Sequence, residues 1–149
     1  MALIDDLGTG PIGIDTAAFI YFIEEHERFL PPVAPLFAAA DAGKVELVAS
    51  ALTLLEVLVV PYRAGNVELA ARYEAVLTRS RGIRLIDLTR EHFRLAAQLR
   101  AATNIATPDA LQLAAALSSR CSAFVTNDRR LPTLPGLRIV QLSDYVRLR

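Results

Sequence analysis

Short apolar runs alternate with longer amphipathic ones along this chain, and that alternation sets the expected fold. Pro11–Asp15 reads as a short strand. A helix follows from Thr16 to about Glu27, with Phe19, Ile20, Phe22 and Ile23 on its apolar side. Pro31-Pro32 marks a break, and Val33–Ala42 predicts a second helix ending near Gly43. Val45–Ala49 is a strand. Ser50 is the expected N-cap of a helix that carries Glu56 and ends near Arg63-Ala64-Gly65. Asn66 caps Val67–Ser80, where Leu69, Ala70, Tyr73, Val76 and Leu77 recur at helical spacing. Ile83–Leu88 is a strand, and Thr89 caps a helix to about Ala102, with Glu91 or His92 near the capping-box position. Thr107, Pro108 and Asp109 open a helix running to about Ser119. Ala123–Thr126 and Leu137–Val140 are strands, and Ser143–Leu148 forms a last helical turn or two.

Strands alternating with helices imply parallel pairing through right-handed crossovers. The expected class is α/β, with three layers in which helices flank a central parallel sheet. No repeat, low-complexity tract or long linker interrupts the pattern, so residues 1–149 read as one domain.

Composition narrows the class. With 53% hydrophobic residues in 149, the chain can bury a core without disulfides or structural metals. The same apolar excess points to an oligomer or a protein partner. A homodimer is expected, through apolar surface running from the Glu56 helix to the Val67–Ser80 helix. The single cysteine, Cys121, forms no internal disulfide, suits a reducing cytoplasm and reads as core. Cysteine–histidine zinc sites are excluded by count. Asp5 and Asp6 stand where a signal peptide would be basic, and the apolar stretch around Val48 to Val60 is short and contains Glu56. A cytoplasmic protein without membrane contact is expected.

The net charge of zero hides an asymmetry. Residues 1–62 hold nine acids against Arg28 and Lys44, whereas residues 63–149 hold fourteen arginines against seven acids. Guanidinium forks suit phosphate.

Four acids remain where a bland fold would place something else. Asp15 ends Pro11-Ile12-Gly13-Ile14, and Glu56 interrupts the apolar run from Leu52 to Val60. Asp109 opens a helix, and Asp128 follows Ala123-Phe124-Val125-Thr126-Asn127. Each alone has an ordinary role. Asp15 can cap a helix, Glu56 can occupy a narrow exposed strip, Asp109 can favour a helix dipole, and Asp128 can sit in a turn. Together they mark four elements, and two of them follow strands at the carboxyl ends where α/β sheets build their sites. Ionised carboxylates in apolar settings need an answering charge. A shared Mg²⁺ or Mn²⁺ supplies it with oxygen ligands. The chain has no P-loop, dinucleotide fingerprint or nucleophile elbow. His26 and His92 read as surface residues.

Gly13-Ile14-Asp15-Thr16, the mid-helix Glu56, the run from Thr107-Pro108-Asp109 to Ala116, and Phe124-Val125-Thr126-Asn127-Asp128 together resemble a PIN domain. The similarity is greatest to the VapC-type toxins of toxin–antitoxin pairs. The resemblance implies an endoribonuclease dependent on Mg²⁺ or Mn²⁺, usually a homodimer, silenced by a cognate antitoxin. Asp15, Glu56, Asp109 and Asp128 would be the catalytic and metal-binding acids. Thr126, with Thr16 and Asn127, would orient carboxylates or the scissile phosphate. Arg129 and Arg130 would hold the RNA backbone. An antitoxin is expected to cover the acids with a basic side chain and to use apolar surface around Leu55 and Val59. The family often continues its last motif with a further acid and a phenylalanine; Arg130 and Leu131 stand there instead.

The reaction implied is metal-assisted phosphodiester hydrolysis with one or two cations. A PIN-like module that binds RNA or protein without cutting is the alternative. A haloacid-dehalogenase-like phosphatase needs an acid where Ala17 stands, and a receiver domain needs a late lysine, whereas Lys44 is the only lysine.

Overall fold

The computed structural model describes residues 2–146. Five strands form one sheet: β1 (Ile12–Ile14), β2 (Leu47–Ser50), β3 (Ile83–Ile86), β4 (Ala123–Thr126) and β5 (Arg138–Gln141). Their order is β3-β2-β1-β4-β5, and every pairing is parallel. Seven α-helices connect and cover them: α1 (Leu3–Leu7), α2 (Thr16–Ile23), α3 (Leu30–Asp41), α4 (Ala51–Arg63), α5 (Val67–Arg79), α6 (Arg90–Thr103) and α7 (Thr107–Ser118). A 3₁₀ turn, Leu142–Tyr145, follows β5. This is the three-layer α/β architecture with a parallel sheet that the pattern predicts.

The strands alternate sides, and the alternation makes two cores. Ile12, Ile14, Leu47, Ala49, Ala123 and Val125 join α2, α3 and α5 on one face, while Val48 and Phe124 join α6 and α7 on the other. Gly13 lies on the second face. A Cβ there would stand 2.7 Å from the Phe124 ring and 3.0 Å from Ala116 Cβ. Glycine at this position lets α7 lie close against β1.

Chain order moves from β1 outward to β3 and then returns across the sheet to β4, so β1 and β4 flank the topological switch point. Gly13 pairs with both Val48 and Phe124. Asp15 follows β1, and Asp128 lies two residues beyond β4.

Several boundaries differ from those the sequence predicts, each for a local reason. Helix α1 is an addition to the predicted elements, with Leu3 and Leu7 one turn apart and both buried. Helix α2 ends at Ile23 rather than near Glu27, because Glu25 takes a left-handed φ of 52° and His26 Nδ1 accepts from the Arg28 and Phe29 amides. Pro31-Pro32 does not break the chain but lies in the first turn of α3, which begins at Leu30. Amides in a first turn have no partner inside the helix, so proline loses nothing there. Val33 then bonds back to Phe29 at 3.3 Å. The last turn is shorter and begins at Leu142, and the predicted extension to Leu148 lies partly outside the described residues.

His92 closes the capping box with Thr89 at 2.9 Å, while His26 is exposed. Cys121 is buried, and burial pushes its thiol up to about 11. Among the described residues no helix is long and apolar enough to cross a membrane.

Candidate active site

The four acids come from four elements that all present their ends at the carboxyl edge of the sheet. Asp15 is the N-cap of α2, its Oδ1 accepting the Thr16 amide at 2.7 Å. Its other oxygen, Oδ2, accepts the Thr126 hydroxyl at 2.6 Å across the switch point. Thr126 Oγ1 in turn accepts the Asp128 amide at 3.1 Å. One threonine at the end of β4 thus ties Asp15 to the turn bearing Asp128. Thr16 does the corresponding work on the other side, donating its hydroxyl to Glu56 Oε1 at 2.8 Å. Asp109 stands in the first turn of α7 and shares its surroundings with Asp128 and Glu56.

Electrostatics follow from that crowding. Burial pushes the Asp15 carboxyl above its ordinary value, against the hydrogen bonds from Thr126 and Thr16, and the charges of Asp109 and Glu56 push it further. Asp109 is raised by burial, then by Asp128 and Glu56, with Arg130 opposing. Asp128 moves the other way, because the Arg130 side chain bonds both of its oxygens at 3.0 Å. Like charges raise one another's pKa and a guanidinium lowers it.

The supporting residues expected from the sequence divide into two groups. Thr16 and Thr126 touch carboxylates. Asn127 turns away, and its Nδ2 donates to the Tyr21 hydroxyl at 3.3 Å. Arg129 pairs with Asp144 at 2.5 Å and donates to Ser143, whereas Arg130 pairs with Asp128. Two residues at the site had no role assigned from sequence, Thr53 and Gln112. The Gln112 amide donates to Thr16, Thr53 and Glu56 at 3.0–3.1 Å. The signal for them was helical spacing. Thr53 lies one turn before Glu56, and Gln112 one turn after Asp109.

The donor set consists of carboxylate and hydroxyl oxygens, which suits a hard cation such as Mg²⁺ or Mn²⁺. Asp15 and Asp109, both raised first by burial and further by neighbouring carboxylates, would be relieved by such a charge. Among the described residues no three His, Cys, Asp or Glu side chains form a group that could hold a metal ion as they stand. Asp15, Glu56, Asp109 and Asp128 are close enough to feel one another's charge, and Asp128 is engaged by Arg130.

Comparison with known proteins agrees with the fold. VapBC2 from Rickettsia felis, bound to a DNA fragment from its promoter, superposes with a TM-score of 0.70 at 15% identity, over 88% of this chain and 98% of that one. DNA-bound VapBC from Salmonella typhimurium gives 0.63 at 22% identity, over 89% and 98%. The sarcin–ricin-loop-cleaving toxin VapC20 of Mycobacterium tuberculosis gives 0.62 at 15% identity, over 76% and 86%. At these identities the likeness is one of fold. No curated protein sequence matches the chain. Residues 12–137, which hold all four acids and the whole switch point, match the PIN domain, and the chain belongs to the PIN domain family.

Proposed function

We propose that this chain is a metal-dependent endoribonuclease, the toxin component of a toxin–antitoxin pair. The observation that carries the reading is the linked set of acids. Asp15 connects through Thr16 to Glu56 and through Thr126 to Asp128, and Asp109 shares charge with all three. Structural relatives include a toxin–antitoxin complex from Klebsiella pneumoniae and a sarcin–ricin-loop-cleaving toxin. Membership of the PIN family supports a nuclease over a phosphatase or a receiver.

On this reading Asp15, Glu56, Asp109 and Asp128 hold Mg²⁺ or Mn²⁺. A bound divalent ion supplies an activated water and neutralises charge on the scissile phosphate. The chain's own contribution is placement. Thr126 fixes the Asp15 carboxylate from one side, and the Thr16 amide fixes it from the other. Thr16 sets the rotamer of Glu56. Arg130, whose side chain is 88% exposed, stands at the rim of the acids where a phosphate oxygen can draw it from Asp128. Arg129, paired with Asp144 beyond β5, would reach the RNA backbone only by leaving that partner.

Two protein partners complete the proposal. The outer end of the α4–α5 hairpin exposes Val60, Tyr62 and Val67, each at 60% or more, which suits a second copy of this chain. Leu55 is exposed beside Glu56 and, with Val59, suits an antitoxin segment that also covers the acids with a basic side chain.

The test is incubation of the purified chain with labelled single-stranded RNA in Mg²⁺, in Mn²⁺ and in chelator. Internal cleavage with either metal and none in chelator is expected. Undiminished cleavage in chelator, or no cleavage with any metal, would overturn the proposal.

A further inference from the structure

Three helices meet around one oxygen of Glu56. Thr16 on α2 donates to Glu56 Oε1 at 2.8 Å, and the Gln112 amide on α7 donates to the same oxygen at 3.1 Å. Thr53, one turn before Glu56 on α4, lies 3.1 Å from Thr16 Oγ1 and accepts from Gln112 at 3.0 Å. Thr53 is wholly buried, Gln112 is 5% exposed and Thr16 is 9% exposed. Burying an amide and two hydroxyls is unfavourable compared with apolar residues unless all are bonded. Here the Gln112 NH₂ group and both hydroxyls are bonded to one another and to a carboxylate.

The orientation of Gln112 is fixed by charge. A flipped amide would set its carbonyl oxygen against the Glu56 carboxylate, so the NH₂ group must face it. Both hydrogen bonds to Glu56 then fall on Oε1, and among the described residues none falls on Oε2. The bracket therefore clamps one oxygen and leaves the other for a ligand.

We propose that Thr53 and Gln112 are positioning residues that lock Glu56, presenting its Oε2 to the divalent ion. Neither touches the reacting atoms. Their effect passes through Glu56 and Thr16, as an outer ring of hydrogen bonds passes through metal ligands. The inference rests on the metal-dependent nuclease reading above. It adds that helix α7 contributes twice to the site, through Asp109 in its first turn and through Gln112 one turn later. It also explains why Gln112 interrupts the otherwise apolar buried run from Ala110 to Ala116.

Mn²⁺ binding to the full chain, measured by calorimetry alongside a urea unfolding curve, tests the proposal. Thr53→Val keeps the shape and removes the hydroxyl, Thr53→Ser keeps the hydroxyl, and Gln112→Met keeps the length and removes the donors. Thr53→Val and Gln112→Met should weaken Mn²⁺ binding by about tenfold to a hundredfold, the usual effect of losing such partners. Thr53→Ser should bind nearly as the parent does. A lower unfolding midpoint with unchanged Mn²⁺ affinity in Thr53→Val and Gln112→Met would reduce the bracket to core structure and overturn the proposal. Should Gln112→Met fail to fold, the Thr53 pair decides alone. If the parent chain binds no Mn²⁺, the nuclease reading fails, and this inference fails with it. Parental binding with unaffected variants sinks the inference alone.

Discussion

The Arg130 guanidinium grips both oxygens of the Asp128 carboxylate, Nε to Oδ1 and Nη2 to Oδ2, each at 3.0 Å. The Arg130 amide adds a third bond to Oδ1 at 2.9 Å. Asp128 is thereby held below the ordinary carboxylate range, and Arg130 also partly offsets the rise at Asp109. A chain-borne cation therefore occupies the position where a second acid often stands in this family. Arg130→Ala should tighten Mn²⁺ binding, since Asp128 no longer has a competing partner. RNA binding should weaken in the same variant, most clearly at low salt. Calorimetry and a filter-binding titration check the two directions, and weaker Mn²⁺ binding in Arg130→Ala would show that the arginine supports the metal rather than competing with it.

Asp109 carries a stability cost that its function would explain. Its folded pKa is raised, chiefly by burial and by Asp128. A raised carboxyl destabilises the fold above that pKa, and the cost disappears as pH falls below the unfolded value of about 3.9. Without metal, Asp109→Asn should therefore unfold at a higher temperature than the parent near pH 7. The gap should narrow as pH falls toward 4, where the parent's carboxyl protonates. Thermal unfolding in chelator across that range checks this, and a variant that melts lower than the parent at neutral pH would contradict it.

The parallel sheet and the element order from β1 onward were readable from the sequence. Period-two runs and N-cap residues such as Ser50 and Asn66 act over a few neighbours, so pattern alone reveals them. What pattern could not show was partnership across the chain. Thr126 meets Asp15 across 111 residues, and Gln112 meets Thr16 across 96. Helical spacing puts Gln112 one turn after Asp109, but its partners Thr16, Thr53 and Glu56 lie far away in the chain and are not marked by any local pattern. Asn127 shows the same limit from the other side: it sits between Thr126 and Asp128 yet bonds Tyr21. The prolines at 31 and 32 misled for a different reason, because proline both breaks helices and begins them.

Gly13 tests how closely the helix layer must approach the sheet. A methyl group there meets the buried Phe124 ring at 2.7 Å and Ala116 at 3.0 Å. Gly13→Ala should destabilise the fold by about 1–3 kcal/mol, the usual effect of overpacking. Urea unfolding checks this, and an unchanged midpoint would mean that α7 can shift outward freely.

Val60 and Val67 are 68% and 72% exposed on the α4–α5 hairpin. If that surface joins two copies, light scattering at micromolar concentration should give a dimer. Val60→Asp should give a monomer that keeps its helical circular dichroism. A monomeric parent chain would remove this partner from the account.

The central claim is that the four carboxylates act by holding a divalent ion for RNA cleavage. Asp15→Asn tests it most directly, because the amide preserves the shape at the N-cap of α2 but removes the charge. Single-turnover cleavage of labelled RNA at saturating Mn²⁺, with Mn²⁺ affinity measured on the same preparation, should show both lost together in the folded variant. A folded Asp15→Asn protein that cleaves RNA at the parental rate would contradict the account.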